Sequence, residues 1–326
     1  MIDLMALEPN KISRDITSYN NLIFGNPKSG KTTFAYKLYG QEALLLAFEK
    51  GYGALSGVIA LDVPNYATMK QVIGQLKKAE VKSRFKTVIF DTADLFSEIC
   101  VKQTLRILEI DDMSDLGYGK AYAKLDTVVK DVINPILEEG YNICFISHSK
   151  LKTFNTGKEN EYSKYVLSLQ NRVAEIVTKL VDNILFVNLE RKEDGTEERV
   201  VYTRETTYFQ AGTRFAHLPS RLPLDADIFK QAIKEAIEAE ENDTGLATDE
   251  KFNKVMFSAL NFSDIHSELM ELGLKLGQAG FGELAMEKVY EQMGAGYDLS
   301  KAKEDDVEDL AIVLENLKTL AEKHLK

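Results

Sequence analysis

The chain reads as an α/β protein: a mainly parallel sheet flanked by helices, a β-hairpin after this core, and a small all-α module at the C-terminus. Three observations carry that reading. Short apolar runs alternate with helical stretches over the first 150 residues, the pattern of a parallel sheet covered on both faces. The segment "NILFVNLE-RKEDGT-EERVVYTRE" has two strand-like runs around Asp194-Gly195, a hairpin signal. From residue 249 onward only helical spacing is found, with Val307, Leu310, Leu314, Leu317 and Ala321 forming one apolar stripe.

The elements follow in order. "NNLIF" is a buried strand, and "TTFAYKLYG" is a helix stopped by Gly40. "EALLLAFE" and "GVIALDVP" are strands, "YATMKQVIGQLKKA" is a helix, and "FKTVIFDTAD" is a strand ending in acids. Helices are expected over 93–108 and 118–139, then the strand "YNICFISHS". Residues 150–168 are polar and without period, which predicts a long loop. A helix over 169–180, the hairpin, the proline-punctuated "FAHLPSRLPL" and a helix over 225–240 complete the core. The expected organisation is a core over 1–240, a linker over 241–248 ("ENDTGLAT") and a helical module over 249–326.

The 326 residues are 44% apolar and 28% charged, the balance of a packed globular protein. No apolar run approaches the ~20 residues needed to cross a bilayer, and the N-terminus lacks signal-peptide features, so a cytoplasmic protein without membrane contact is expected. Two isolated cysteines, Cys100 and Cys144, fit a reducing compartment and offer no metal cage. Residues 226–326 hold 22 acids and 11 bases, the whole net charge of −11, while the first 225 residues balance. That argues for two modules and against coating nucleic acid by bulk charge.

"FGNPKSGKTT" answers what the core binds. Gly25-x-x-x-x-Gly30-Lys31-Thr32 between a strand and a helix is a complete P-loop. Its residues Gly25, Asn26, Pro27, Lys28, Ser29, Gly30, Lys31, Thr32 and Thr33 form the expected phosphate cradle. Backbone N–H groups and the helix N-terminus face the phosphates, Lys31 reaches the β- and γ-phosphates, and the Thr32 hydroxyl serves Mg2+. Asp91, closing "TVIFD" at the carboxyl end of its strand, is the expected second magnesium-shell residue. Asp94 is read equally as a helix-start acid or a catalytic group. Glu49, at the carboxyl end of the next strand, is the candidate that orients water for hydrolysis. His148, ending "NICFISH", is the candidate sensor of the γ-phosphate. The absence of an Asn/Thr-Lys-x-Asp element favours ATP over GTP.

In this order, "FEKGY", "FDTAD", "ISHSK" and "AGTRFAHLPSRLPLD" resemble the RecA-like ATPases, and among them a phage nucleotide-binding family grouped with phage single-strand annealing proteins. The resemblance covers about residues 15–235 and leaves 249–326 unassigned. It implies an ATPase stimulated by single-stranded DNA, in phage recombination, annealing or replication, assembled as a ring or filament. Glu49 corresponds to the water-activating glutamate, and His148 to the residue coupling nucleotide state to a DNA-binding loop. That loop corresponds to about 150–168, where Lys150, Lys152, Lys158 and Lys164 interleave with Phe154, Tyr162 and Tyr165, a composition suited to phosphates and unpaired bases. Arg204 and Arg214 are the candidates for a finger reaching a neighbour's nucleotide. The acidic C-terminal helices are expected to serve assembly or to dock a replication or recombination protein. The competing expectation is a nucleotide-dependent loader whose main partner is a protein.

Overall fold

The computed structural model describes residues 9–155, 161–251 and 262–325. Residues 9–251 form one compact unit and residues 262–325 belong to a second.

The first unit is built on a ten-stranded sheet. Its centre comprises β2 (Asn21–Gly25), β3 (Ala43–Ala47), β5 (Thr87–Asp91), β6 (Asn142–Asn155) and β8 (Asn183–Arg191), all parallel, in the spatial order β8-β2-β6-β5-β3. The short β4 (Ala60–Asp62) adds a parallel edge beside β3. On the other side β9 (Glu197–Tyr202) pairs antiparallel with β8 and then with β11 (Arg221–Pro223), while β10 (Gly212–Thr213) also pairs with β8. Thus β6 separates the P-loop strand β2 from the Asp91 strand β5.

These strands are near-continuous apolar runs because both faces are covered. Alternate residues go to opposite cores. Ile23, Leu45, Ile89, Ile146 and Leu185 pack with α1 (Lys31–Tyr39) and α7 (Ala226–Thr244). Leu22, Phe24, Phe90 and Phe145 pack with α2 (Tyr66–Leu76), α4 (Ala93–Leu108), α5 (Lys120–Glu138) and α6 (Asn171–Leu180). Local chemistry sets the ends. Asn65 caps α2 by accepting the Thr68 N–H at 2.9 Å, and Asp225 caps α7 by accepting the N–H groups of Asp227 and Ile228. Pro135 lies inside α5 and cannot donate to the Asp131 carbonyl, which instead accepts from Lys70 Nζ at 3.4 Å.

Two expectations are corrected. The described part of 150–168 is a strand pair and not a loop: β6 runs on past the sheet and pairs antiparallel with β7 (Glu161–Leu167), with Leu151 opposite Tyr165 and Phe154 opposite Tyr162. The segment lacks an apolar period because most of this hairpin stands away from the core; Tyr165 and Leu167 alone anchor it to the main apolar cluster. Residues 241–248 do not form a linker either. Helix α7 continues to Thr244 and stops at Gly245, and β12 (Ala247–Thr248) pairs with β1 (Ile12–Ser13). Arg14 bonds to Glu241 and Asp249, and the Ser13 hydroxyl donates to the Glu250 backbone carbonyl at 2.7 Å, so Glu241 of the expected linker and the two residues just after it hold the start of the core.

The second unit is helical throughout its regular structure: α8 (Phe262–Gln278), α9 (Gly282–Met293) and α10 (Val307–His324) close over Leu269, Leu276, Val289, Leu310, Val313 and Leu317. Met270, Leu274, Met286 and Tyr290 line an apolar groove on its surface.

Candidate functional site

The carboxyl ends of β2, β3 and β5 and the middle of β6 meet at a cavity of about 580 Å³, lined by residues 27–33 and by Glu49, Lys50, Asp91, Thr92 and His148. The volume suits a small-molecule ligand. The P-loop forms its floor. Gly25 permits a close approach, since a Cβ there would stand 2.3 Å from the Val187 carbonyl oxygen of β8. Gly30 caps α1 with φ +97°, a conformation that favours glycine.

Lys31 opens α1 and is only 5% exposed. Its ammonium donates back to the carbonyls of Gly25 at 3.0 Å and Asn26 at 2.8 Å. Burial lowers its pKa, opposed by the nearby Asp91, Asp94 and Glu49. Asp91 is 3% exposed and accepts the Thr32 hydroxyl at 2.8 Å. Burial raises its pKa and Glu49 adds to the rise, against Thr32, Lys31 and His148. The peptide bond after Asp91 is cis.

Glu49 and His148 face each other across the cavity, with Glu49 Oε1 3.9 Å from His148 Nε2. The buried side-chain polar atoms that lack a partner among the described residues are Ser29 Oγ, Thr92 Oγ1 and His148 Nδ1, and all three residues line this cavity. Buried polar atoms are normally paired, so this cluster fits a wall built for a polar ligand. Thr32 and Asp91 supply one hydroxyl and one carboxylate. That is a donor set suited to Mg2+, which usually completes its shell with phosphate and water oxygens. Among the described residues no trio of His, Cys, Asp or Glu converges as a metal cage.

Asp94, in the first turn of α4, has a structural role that the sequence left open. Its carboxylate accepts the His148 backbone N–H at 3.1 Å and the Ser168 hydroxyl, and that hydroxyl also lies 3.0 Å from the His148 carbonyl oxygen. The base of the β6–β7 hairpin is therefore clamped beside the cavity. The Ser149 hydroxyl adds a bond to Asn26 Oδ1 of the P-loop at 2.8 Å. Sequence reading missed Ser149, Ser168 and the Asn26 amide as contacts; the pairing of Asp94 with a serine 74 residues away has no local signal.

Of the lysines and aromatics expected to touch DNA, Lys150, Lys152, Phe154, Tyr162 and Lys164 share one face of the hairpin. Phe154 and Tyr162 stack with centroids 5.4 Å apart, and Lys152 Nζ lies 5.2 Å from the Phe154 centroid. Lys164 pairs with Glu205. Tyr165 is a correction: it faces the other way and stacks on Phe186 of the core, because its register position alternates with Lys164. Lys158 lies outside the described residues.

The two finger candidates are also corrected. Arg204 spends its guanidinium on the carbonyls of Phe215 at 2.6 Å and Ala216 at 2.8 Å. Arg214 pairs with Asp182 at 2.9 Å, next to the first residue of β8 and so at the amino-terminal end of the parallel strands, away from the P-loop. Both are employed in fixing the segment after the hairpin.

A profile of the family described as "AAA domain" matches residues 17–215, which contain every residue lining the cavity. The chain belongs to this family. Its AAA domain is a P-loop nucleotide-binding domain, and the match includes the cavity and the β6–β7 hairpin. Over almost its whole length the chain is similar to the "SPbeta prophage-derived uncharacterized protein YorG" of Bacillus subtilis (strain 168), at 24% identity over 329 residues and 98% of each chain. Among solved structures it is similar to the RadB recombinase, at 16% identity and a TM-score of 0.33, over 57% of this chain and 80% of that one. Among the described residues no helix is long and apolar enough to cross a membrane.

Proposed function

We propose that the chain hydrolyses ATP and couples that cycle to single-stranded DNA, in phage recombination, annealing or replication. One observation carries the reading: β6 is a single strand from Asn142 to Asn155, whose His148 lines the nucleotide cavity and whose distal half carries the lysine–aromatic face. A shift at the cavity therefore has a rigid path to the hairpin.

In this reading the P-loop amides and Lys31 hold the phosphates, and Thr32 and Asp91 hold the metal. Mg2+, when bound, neutralises charge on the β- and γ-phosphates. Lys31 leaves the Gly25 and Asn26 carbonyls to meet phosphate oxygens, a stronger charge-assisted partner. Glu49 orients the attacking water, and His148, across from it, holds the carboxylate in place. His148 reads the presence of the γ-phosphate, and the clamp on Asp94 sets how far that reading moves the hairpin. Phe154 and Tyr162 offer ring faces to bases while Lys150 and Lys152 follow the backbone.

The same reading includes a homo-oligomer and a protein partner taken up by the C-terminal helices. The exposed Met270, Leu274 and Tyr290 support the latter. The experiment is fluorescence anisotropy of labelled oligo-dT at low salt with ATP analogue, with ADP and without nucleotide. Affinity that changes with nucleotide supports the proposal; no binding in any state rejects it.

A further inference from the structure

Arg199 on β9 carries no motif in its sequence context, and its guanidinium has no hydrogen-bond or ion-pair partner among the described residues. The reason is the strand's alternation. The neighbouring acids Glu190 and Glu198 lie on the opposite face, where both are taken by Arg221, each at 3.0 Å. Arg199 shares the face of Val201, the face on which α1 packs. Its Cδ stands 3.8 Å from the point where a Gly30 Cβ would be, and Leu224 Cδ2 stands 3.3 Å from the same point. The two residues are fixed together, since the Leu224 N–H donates to the Arg199 carbonyl at 2.9 Å. A cation without a counter-ion and an apolar side chain therefore flank the last glycine of the P-loop.

The sheet order says which end of a ligand they meet. Glu49 follows β3, Asp91 ends β5 and His148 lies midway along β6, and all three strands are on one side of β2, whereas β8 and β9 lie on the other. On the reading that the cavity takes a nucleoside triphosphate with its γ-phosphate toward Glu49 and Asp91, the nucleoside leaves on the β8–β9 side. We infer that Arg199 and Leu224 form the nucleoside end of the site, the guanidinium lying against the face of the base and Leu224 supporting its apolar edge. A planar guanidinium suits that contact and a lysine does not.

The test is titration calorimetry of the full chain with ATP, ADP and sodium tripolyphosphate, each with Mg2+. Wild type, Arg199→Ala, Arg199→Lys and Lys31→Ala are compared, and melting temperatures confirm that each is folded. The inference predicts that Arg199→Ala and Arg199→Lys weaken ATP and ADP alike by about tenfold. Tripolyphosphate, which has no nucleoside, binds both as it binds wild type. Lys31→Ala weakens all three. Unchanged ATP affinity in Arg199→Ala, beside a loss in Lys31→Ala, overturns the role of Arg199 and leaves the nucleotide site standing. An equal loss of tripolyphosphate, or full rescue by lysine, also overturns it, since the residue then acts on phosphate. If wild type binds neither ATP nor tripolyphosphate, the nucleotide reading itself fails and this inference falls with it.

Discussion

The Thr32 hydroxyl donates to Asp91 Oδ2 at 2.8 Å, joining the first turn of α1 to the end of β5 across the intervening strand β6. Two residues 59 positions apart are thus brought to hydrogen-bond distance at the proposed metal position. Asp91 is held there against its own preference, because burial raises its pKa. The raised value works against the charged form of the folded protein. That cost is fully present above the folded-state pKa and vanishes below the unfolded one, near ~4. The melting temperature of Asp91→Asn relative to wild type, without nucleotide, should therefore rise by a few degrees between pH 4 and pH 8. A pH-independent difference would show that Asp91 does not titrate as a buried acid.

Lys31→Ala should lose nucleotide affinity by about 100-fold or more, equivalent to ~2.7 kcal/mol. Its ammonium is buried and bonded only to carbonyls of its own loop, so the phosphate loses a desolvated partner. Equilibrium binding of a fluorescent ATP analogue checks this. Affinity within threefold of wild type contradicts it.

Much of this site is legible in the sequence because its residues announce themselves locally. A P-loop, an acid ending "TVIFD" and an acid after "LLLAF" each sit at a strand's carboxyl end, and alternation of strands and helices predicts where those ends gather. What was not legible depends on distant partners. Arg204 looks like a free cation until the carbonyls of Phe215 and Ala216 close around it. Residues 150–168 look structureless because a strand pair standing off the core needs no apolar period, only backbone bonds and the anchor of Tyr165 on Phe186. "ENDTGLAT" has the composition of a tether, yet Ala247 and Thr248 are in strand pairing with Ile12 and Ser13.

Glu49→Gln should bind ATP as wild type does and lose turnover by ~10²–10⁴-fold, since the amide keeps the shape and loses the basic oxygen. Among the described residues only His148, at 3.9 Å, lies within ion-pair distance of the carboxylate, so little structure depends on it. Single-turnover hydrolysis beside a binding measurement separates the two effects. Normal hydrolysis by this variant contradicts the role of Glu49.

The two faces of the hairpin should separate under mutation. Phe154→Ala with Tyr162→Ala removes a stacked pair on the lysine face and should weaken oligo-dT binding by ~1–3 kcal/mol with little change in melting temperature. Tyr165→Ala removes a ring packed on Phe186 and should lower stability by ~1–3 kcal/mol. Chemical denaturation and anisotropy together read both. The reverse pattern would place the DNA face on the wrong side of the hairpin.

Asp94→Asn should loosen the clamp on His148 and Ser168 while leaving the P-loop intact. Nucleotide affinity is expected to hold within about threefold, while the difference in DNA affinity between the ATP-analogue and ADP states shrinks. Loss of nucleotide binding instead would assign Asp94 to the phosphate site itself.

The most direct measurement is the steady-state ATP turnover of the full chain at low salt, with and without single-stranded DNA, for wild type and for Phe154→Ala/Tyr162→Ala. The account predicts turnover that rises several-fold with DNA in wild type and a basal rate that DNA leaves unchanged in the variant. A wild-type rate indifferent to DNA would contradict it.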